Sequence, residues 1–420
     1  MSRNSECFAR IRPYINRDFL NFILKNKDAS KKHDDSIRPA NRPAKNEFFF
    51  SSGRGSLKWL LSNIRELKQK FLRVGMQAFT CQVVPQAILE SNNIPVFFDI
   101  SSKYYTTLIS NINFDDIDVL ILTHLFGIPN PDYFKICKIC KKKQIIVIDD
   151  LALTFRSSIG GEEIGYASNA AFYSFGFDKP VSCYSGGLLR MNKDSLIDQL
   201  QDNFDNLPEE SNKRQLNDLT KLYVFYELFD KNKYVQGFFY DIDNHFLPII
   251  NFLKFREKEV YRAFFFSRKL FSYTCKLFFR KNQGKPDPIE MVKMGQLKYD
   301  YLTTLFHLYP DIHKRRLLAA NKAKEKIQSI FGNISFPTSR DNIESSWHRL
   351  PMLASQDKQH QIIQWGKENG IEIGTYNWSV LSFEPFEELK YLKPEMFPIS
   401  NLVKTQILNL PIWDEQIWEF

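Results

Sequence analysis

Between residues 46 and 190 the chain alternates short apolar runs with amphipathic stretches. Val119-Leu-Ile-Leu122 and Ile145-Ile-Val-Ile148 are continuous apolar runs of strand length, the pattern of strands buried on both faces of a sheet. Leu57–Phe71 and Tyr133–Lys143 instead place apolar residues at helical spacing with lysines and other polar residues between them, as helices packed on one side do. The alternation predicts βαβ units around a largely parallel sheet, an α/β fold. In such sheets ligands gather beyond the carboxyl ends of the strands. The second run ends there in two carboxylates, Asp149 and Asp150.

The pattern changes on either side. Residues 1–45 are polar and basic, with Arg-Pro steps at Pro13, Pro39 and Pro43, and read as an irregular N-terminal arm. Residues 193–287 are helical in character, charged and dense in aromatics, and read as an insertion closed by Gly284-Lys-Pro-Asp-Pro288. A long helix over about 289–330 is then expected to lead into a small α+β domain. The expected organisation is an arm (1–45), a large domain (46–192), the helical insertion (193–287) and a long helix with a smaller C-terminal domain (288–420).

A chain of 420 residues is long enough for two or three core-forming units. Hydrophobic content of 43% with 25% charged residues excludes a disordered or fibrous class. Six cysteines in no regular framework suit a reducing compartment. The first residues lack the apolar core of a secretory signal, and no run of about 18 apolar residues suggests a spanning helix. The expectation is a cytoplasmic protein. Its net charge of +9 favours anionic partners such as a nucleotide-linked sugar or a phospholipid surface. Nucleic acid is not expected, because no recognised binding module accompanies the charge. The basic, Phe-rich stretch 254–281 leaves two readings open. Its rings form the insertion's own core, or they make a peripheral contact with the inner face of an anionic membrane, with Lys and Arg at the headgroups.

Candidate chemistry centres on Ser174-Phe-Gly-Phe-Asp-Lys179, followed by Ser185-Gly-Gly187. A lysine that forms an imine, a carboxylate for a pyridinium nitrogen and a hydroxyl for a phosphate are what pyridoxal phosphate (PLP) requires of a protein. Gly53-Arg54-Gly55-Ser56 opens a predicted helix, whose free N–H groups and positive end suit an anion. Arg54 adds direct charge pairing. Each feature alone has an ordinary alternative: a surface lysine, a strand-end aspartate that caps a turn, a helix cap. His124 reads equally as a satisfied core histidine or a substrate contact. Cys137-x-x-Cys140 has no second ligand pair at metal spacing, so both read as helix residues.

Several segments recur together in one order. They are Phe50-Ser-Ser-Gly-Arg-Gly-Ser-Leu57, Gln77-Ala-Phe-Thr-Cys81 with Pro95-Val-Phe-Phe-Asp99, Thr123-His-Leu-Phe-Gly127, Val147-Ile-Asp-Asp150 and the Lys179 segment. Arg349-Leu-Pro-Met352, Asn369-Gly-Ile-Glu-Ile-Gly374 and Ile407-Leu-Asn-Leu-Pro411 follow. This series resembles the DegT/DnrJ/StrS family of PLP-dependent sugar aminotransferases. The resemblance implies a fold-type I PLP-transferase. It implies Lys179 as the lysine of the internal aldimine and the proton-moving base, and prefers Asp150 to Asp149 at the ring nitrogen. It places Gly53, Arg54, Gly55, Cys81 and Ser174 around pyridoxal 5′-phosphate.

The implied reaction is transamination of a nucleotide-linked keto sugar in polysaccharide or glycan biosynthesis, with glutamate as the expected amino-acid donor and a homodimer as the assembly. A lysine at this position argues against the branch that dehydrates sugars using histidine. Three places depart from the family pattern: Cys81 where an aromatic ring is usual, Leu153 where glutamine is usual, and no Asn-x-Arg match around Pro286–Met291. Cys81 and Leu153 motivate the alternative, a PLP-binding or apo pseudoenzyme with a structural or regulatory role.

Overall fold

The computed structural model describes residues 14–20, 43–192, 197–230, 286–337, 342–375 and 386–419. The first half holds β1 (Glu47–Phe50), α1 (Gly53–Lys68), β2 (Arg73–Gln77), α2 (Val83–Glu90), β3 (Ile94–Phe98) and β4 (Val119–Thr123). Then come α3 (Tyr133–Lys142), β5 (Ile146–Asp150), a small hairpin of β6 (Ser158–Ile159) and β7 (Glu162–Glu163), β8 (Ala170–Ser174) and β9 (Gly187–Met191). Among the described residues these build a seven-stranded sheet in the order β1-β9-β8-β5-β4-β2-β3. Only β9 runs against its neighbours, β8 and β1; the other pairings are parallel. The apolar runs explain the burial. Leu120 and Leu122 enter the core on one face, shared with Tyr133 and Ile136 of α3. Val119 and Ile121 enter the core on the other, shared with Leu57, Leu60 and Ile64 of α1, as strand alternation requires.

Helices α4 (Ile197–Asp205) and α5 (Asn212–Asp230) follow the sheet. Leu219 and Leu222 of α5 are fully buried in the large-domain core. The long helix α6 is Gln296–Phe331, so it starts later than the 289 expected. The preceding residues instead lie along β1: Ser51 N–H donates to the Val292 carbonyl and Met294 N–H to the Phe49 carbonyl, both at 2.9 Å. Prolines at 286 and 288 disfavour helix there, and the segment covers the open edge of the sheet.

At 36 residues, α6 is about 54 Å long and joins two cores. Tyr301, Leu302 and Leu305 lie in the large-domain core; Ala319, Ala320, Ala323 and Ile327 lie in the C-terminal one. Beyond it, β10 (Ile343–Glu344) pairs with β6. The strands β11 (Leu350–Leu353), β12 (Gly374–Thr375) and β13 (Ile407–Leu410) form an antiparallel sheet accompanied by α7 (Gln356–Glu368) and α8 (Pro398–Gln406).

Part of the expected irregular arm is packed. Phe19 and Leu20 are buried, the Phe19 ring lies 5.8 Å from that of Tyr301, and Tyr14 donates its hydroxyl to the Trp413 carbonyl. Two adjacent apolar side chains in a polar arm suffice to seat it. The rest of the arm up to residue 42, and residues 231–285 of the expected insertion, including 254–281, lie outside the described residues. Among the described residues no helix is long and apolar enough to cross a membrane.

Candidate active site

A cleft of about 290 Å³ opens where β4, β5 and β8 end and α1 begins. Gly53, Arg54, Cys81, Asp150, Ser174 and Lys179 all line it. These residues come from four separate stretches of chain and meet because a parallel sheet brings its carboxyl ends to one side.

The two adjacent aspartates part company by strand alternation. Asp149 is fully buried and accepts the Tyr133 hydroxyl at 2.9 Å, with His124 Nε2 at 3.4 Å. Asp150 faces the cleft instead. Its oxygens are held by two neutral donors, Ala152 N–H at 3.0 Å and the Thr123 hydroxyl at 3.4 Å. Burial pushes its carboxyl above the usual range, against the pull of the Ala152 N–H and of Lys179. A cationic N–H brought to it would relieve that penalty.

The turn before α1 is built around close approach. Ser52 caps the helix, its hydroxyl accepting from Gly55 N–H at 3.1 Å. A Cβ on Gly53 would stand 2.9 Å from the Tyr173 carbonyl. One on Gly187 would stand 2.5 Å from the Gly53 nitrogen. Glycine at both places lets the helix start press onto β8 and β9 beside Ser174. Gly55 is the expected cofactor residue that the cleft does not include: its N–H is taken by Ser52, and a Cβ there would meet the Glu290 carbonyl at 2.5 Å. Its glycine answers packing against the segment before α6. Ser56 likewise turns away, donating to the Gly53 carbonyl at 2.8 Å.

Lys179 is mostly buried and lies beside its own neighbour, with Nζ 3.3 Å from Asp178 Oδ1. Asp178 also meets Arg349 Nη2 at 3.2 Å, and His348 Nε2 donates to its carbonyl at 2.9 Å. Burial opposes the Asp178 charge, but Lys179, His348 and Arg349 outweigh it and hold the carboxyl well below the ordinary range. Burial pushes His348 down to about 3, so the ring is neutral. Cys81 lines the cleft, and burial pushes its thiol up. Leu153 contributes an apolar wall, and Phe177 and Tyr184 bring aromatic rings to it.

His124 is a bonded core residue at the back of the cleft: its Nδ1 accepts from Asn130 N–H at 3.0 Å. Gly127 has a φ of +84°, and a Cβ there would meet the Trp347 nitrogen at 2.5 Å. The His-Leu-Phe-Gly segment is thus where the C-terminal domain docks, with His348 N–H donating to the Phe126 carbonyl. Cys137 and Cys140 are buried on α3, and burial pushes Cys140 up to about 12.

Two features escaped the motif reading. One is the Asp178–His348–Arg349 contact; a charged residue directly before the lysine was its only local signal. The other ties α5 and α6 to the cleft. Lys298 is fully buried; it donates to Glu210 at 2.8 Å and to the Ser185 hydroxyl at 2.9 Å, and pairs with Asp218. Ser185 donates in turn to Asp218 at 2.6 Å. A lysine in an amphipathic helix gives no sign of this, because its partners are more than eighty residues away in one case and eighty in the other.

The family model for DegT/DnrJ/EryC1/StrS aminotransferases matches residues 49–216 and 302–417, well over half of the chain. The chain belongs to this aminotransferase family. Its relatives include the GDP-perosamine synthase of Escherichia coli O157:H7, 26% identical over 116 residues, which are 27% of this chain and 32% of that protein. The chain thus matches about a third of that curated relative's length. PseC of Helicobacter pylori, an aminotransferase involved in the biosynthesis of pseudoaminic acid, superposes with a TM-score of 0.62 at 15% identity, covering 97% of this chain and 94% of that one. Spr1654 of Streptococcus pneumoniae, in a PLP form, gives 0.58 at 14% identity, covering 97% and 93%. At such identities the structural likeness is one of fold: a fold-type I PLP aminotransferase.

Proposed function

We propose that this member of the family is a PLP-dependent aminotransferase that acts on a nucleotide-linked keto sugar in glycan synthesis. The observation that carries the reading is the meeting of Lys179, Asp150, Ser174 and the N-terminus of α1 in one cleft. The donor set fits the cofactor. Lys179 would hold its aldehyde carbon, Asp150 its ring nitrogen, and Ser174 with the Gly53–Arg54 turn its phosphate. When bound, PLP supplies an electron sink for a carbanion next to the amine.

The protein's part is orientation and proton traffic. Asp150, buried and held by neutral donors, would keep a proton on the ring nitrogen. Lys179 Nζ would be the base within the cleft that moves a proton. Leu153, Phe177 and Tyr184 exclude water from that transfer. The name of the GDP-perosamine synthase relative supports a nucleotide sugar as amine acceptor. Glutamate as donor and a homodimer are parts of the same proposal. The test is the visible spectrum with added PLP, then borohydride reduction and peptide mass spectrometry. A pyridoxyl adduct on Lys179, followed by amine transfer to a keto sugar nucleotide, is expected. No adduct at saturating PLP would refute the reading and favour a non-catalytic role for the fold.

A further inference from the structure

Asp178 is a single carboxylate shared between the reactive amine and the other domain. Lys179 Nζ lies 3.3 Å from one of its oxygens and 3.4 Å from the other. Arg349 Nη2 approaches Oδ2 at 3.2 Å and His348 Nε2 the same oxygen at 3.5 Å. The first pair sits in the loop after β8; the second sits at the entry to β11. The Asp178 side chain is 19% exposed, Arg349 7% and His348 0%, so water screens these contacts weakly.

We propose that Asp178 is a positioning residue that holds the Lys179 nitrogen in its charged form at the cleft wall and shares that hold with Arg349, so that the C-terminal domain tunes the reactivity of the lysine. A charged amine cannot attack an aldehyde, whereas a neutral one can. A carboxylate at this distance therefore restrains that attack. With the cofactor bound, the same carboxylate would favour positive charge on that nitrogen. Arg349 draws on the same oxygen, and its own charge opposes that of Lys179. The catalytic consequence rests on Lys179 being the cofactor lysine; the charge coupling itself does not.

The charge of Lys179 acts through space on Asp150 at the end of β5, Cys81 after β2 and His348 before β11, while His124 acts on Asp150 and Arg54 on Cys81. Among the described residues Asp178 alone is within ion-pair distance of it.

The experiment uses full-length protein without cofactor. Lys179 is labelled with trace acetic anhydride from pH 7 to 11, and the label is read by peptide mass spectrometry against the plateau each variant reaches at high pH. The plateau reports access, and the approach to it reports charge. Asp178→Asn is expected to raise labelling at pH 8 about tenfold, the effect of removing one opposite charge at this range. Arg349→Gln is expected to lower it about threefold, and Asp178→Glu to stay near wild type. Movement of Asn and Gln variants in the same direction, or an unchanged profile in an Asp178→Asn protein of normal melting temperature, would overturn the proposal. Should Asp178→Asn not fold, the downward shift in Arg349→Gln decides alone.

A second arm adds PLP and titrates its visible band. A lower pH midpoint in Asp178→Asn supports the proposal, and an unmoved midpoint contradicts it. Labelling shifts with no band in any variant would leave the coupling standing and remove the cofactor reading.

Discussion

Gly187 is the residue at which the fold and the proposed cofactor site depend on the same contact. It opens β9 opposite Ser174 and Phe50. A Cβ there would lie 2.5 Å from the Gly53 nitrogen and 2.6 Å from both Gly53 Cα and the Ser52 carbonyl carbon. All three are backbone atoms, so no rotamer change relieves the overlap. Ordinary contact begins near 3.4 Å, so the start of α1 must retreat by about 0.9 Å. Overpacking of a closed core costs about 1–3 kcal/mol, and a backbone clash belongs at the upper end. In a chain of 420 residues that lowers the melting temperature by roughly 3 °C. The retreat also withdraws the helix N-terminus from the proposed phosphate position, so PLP should bind about tenfold more weakly, the size of a well-placed helix-end contribution. Gly176→Ala is the control from the same loop. Its Cβ would meet nothing closer than 3.5 Å, and it should melt within about 1 °C of wild type. Calorimetry and a PLP titration check both variants. A Gly187→Ala protein that melts like wild type, or a Gly176→Ala protein that is the more damaged, would refute the argument from close approach.

Two further outcomes concern buried charge. Lys298→Met leaves Glu210 and Asp218 buried without their ammonium and should cost about 3–5 kcal/mol in urea unfolding. Replacing both carboxylates by their amides in the same protein should recover part of that loss, and no recovery would contradict the pairing. His348 is the source of a pH dependence. Its folded value near 3 lies below the unfolded value of about 6.5, so between these the unfolded chain takes up a proton that the folded one refuses. Stability therefore falls as pH drops through that window, by up to about 1.4 kcal/mol per unit. Asp178, held below the carboxylate range, adds a loss of the same sign only below about pH 4. His348→Gln should flatten the melting profile between pH 6.5 and 4 and leave the loss below pH 4 in place. A variant with the wild-type slope would remove His348 as its origin.

Alternation of apolar runs and amphipathic stretches determined the parallel sheet, because each pattern is a property of neighbouring residues and needs no knowledge of what packs against it. The same local logic put a lysine, a hydroxyl and a glycine turn near strand ends, and so pointed to the side of the sheet where the cleft lies. Local pattern could not separate Asp149 from Asp150 without the family resemblance. Only the seating of α3, with Tyr133 turned toward Asp149, shows which aspartate is spent in the core. Nor could it tell that Gly55 answers the Glu290 carbonyl, or that α6 starts only after residues 286–295 have covered an edge of the sheet. The Asp178–Arg349 contact joins residues 171 apart, and Lys298 finds its carboxylates across 80 and 88. Periodicity carries no information about such pairs. The first exists because one long helix fixes how two separately packed cores meet, the second because α5 and the start of α6 pack in one core, and only the tertiary structure decides either.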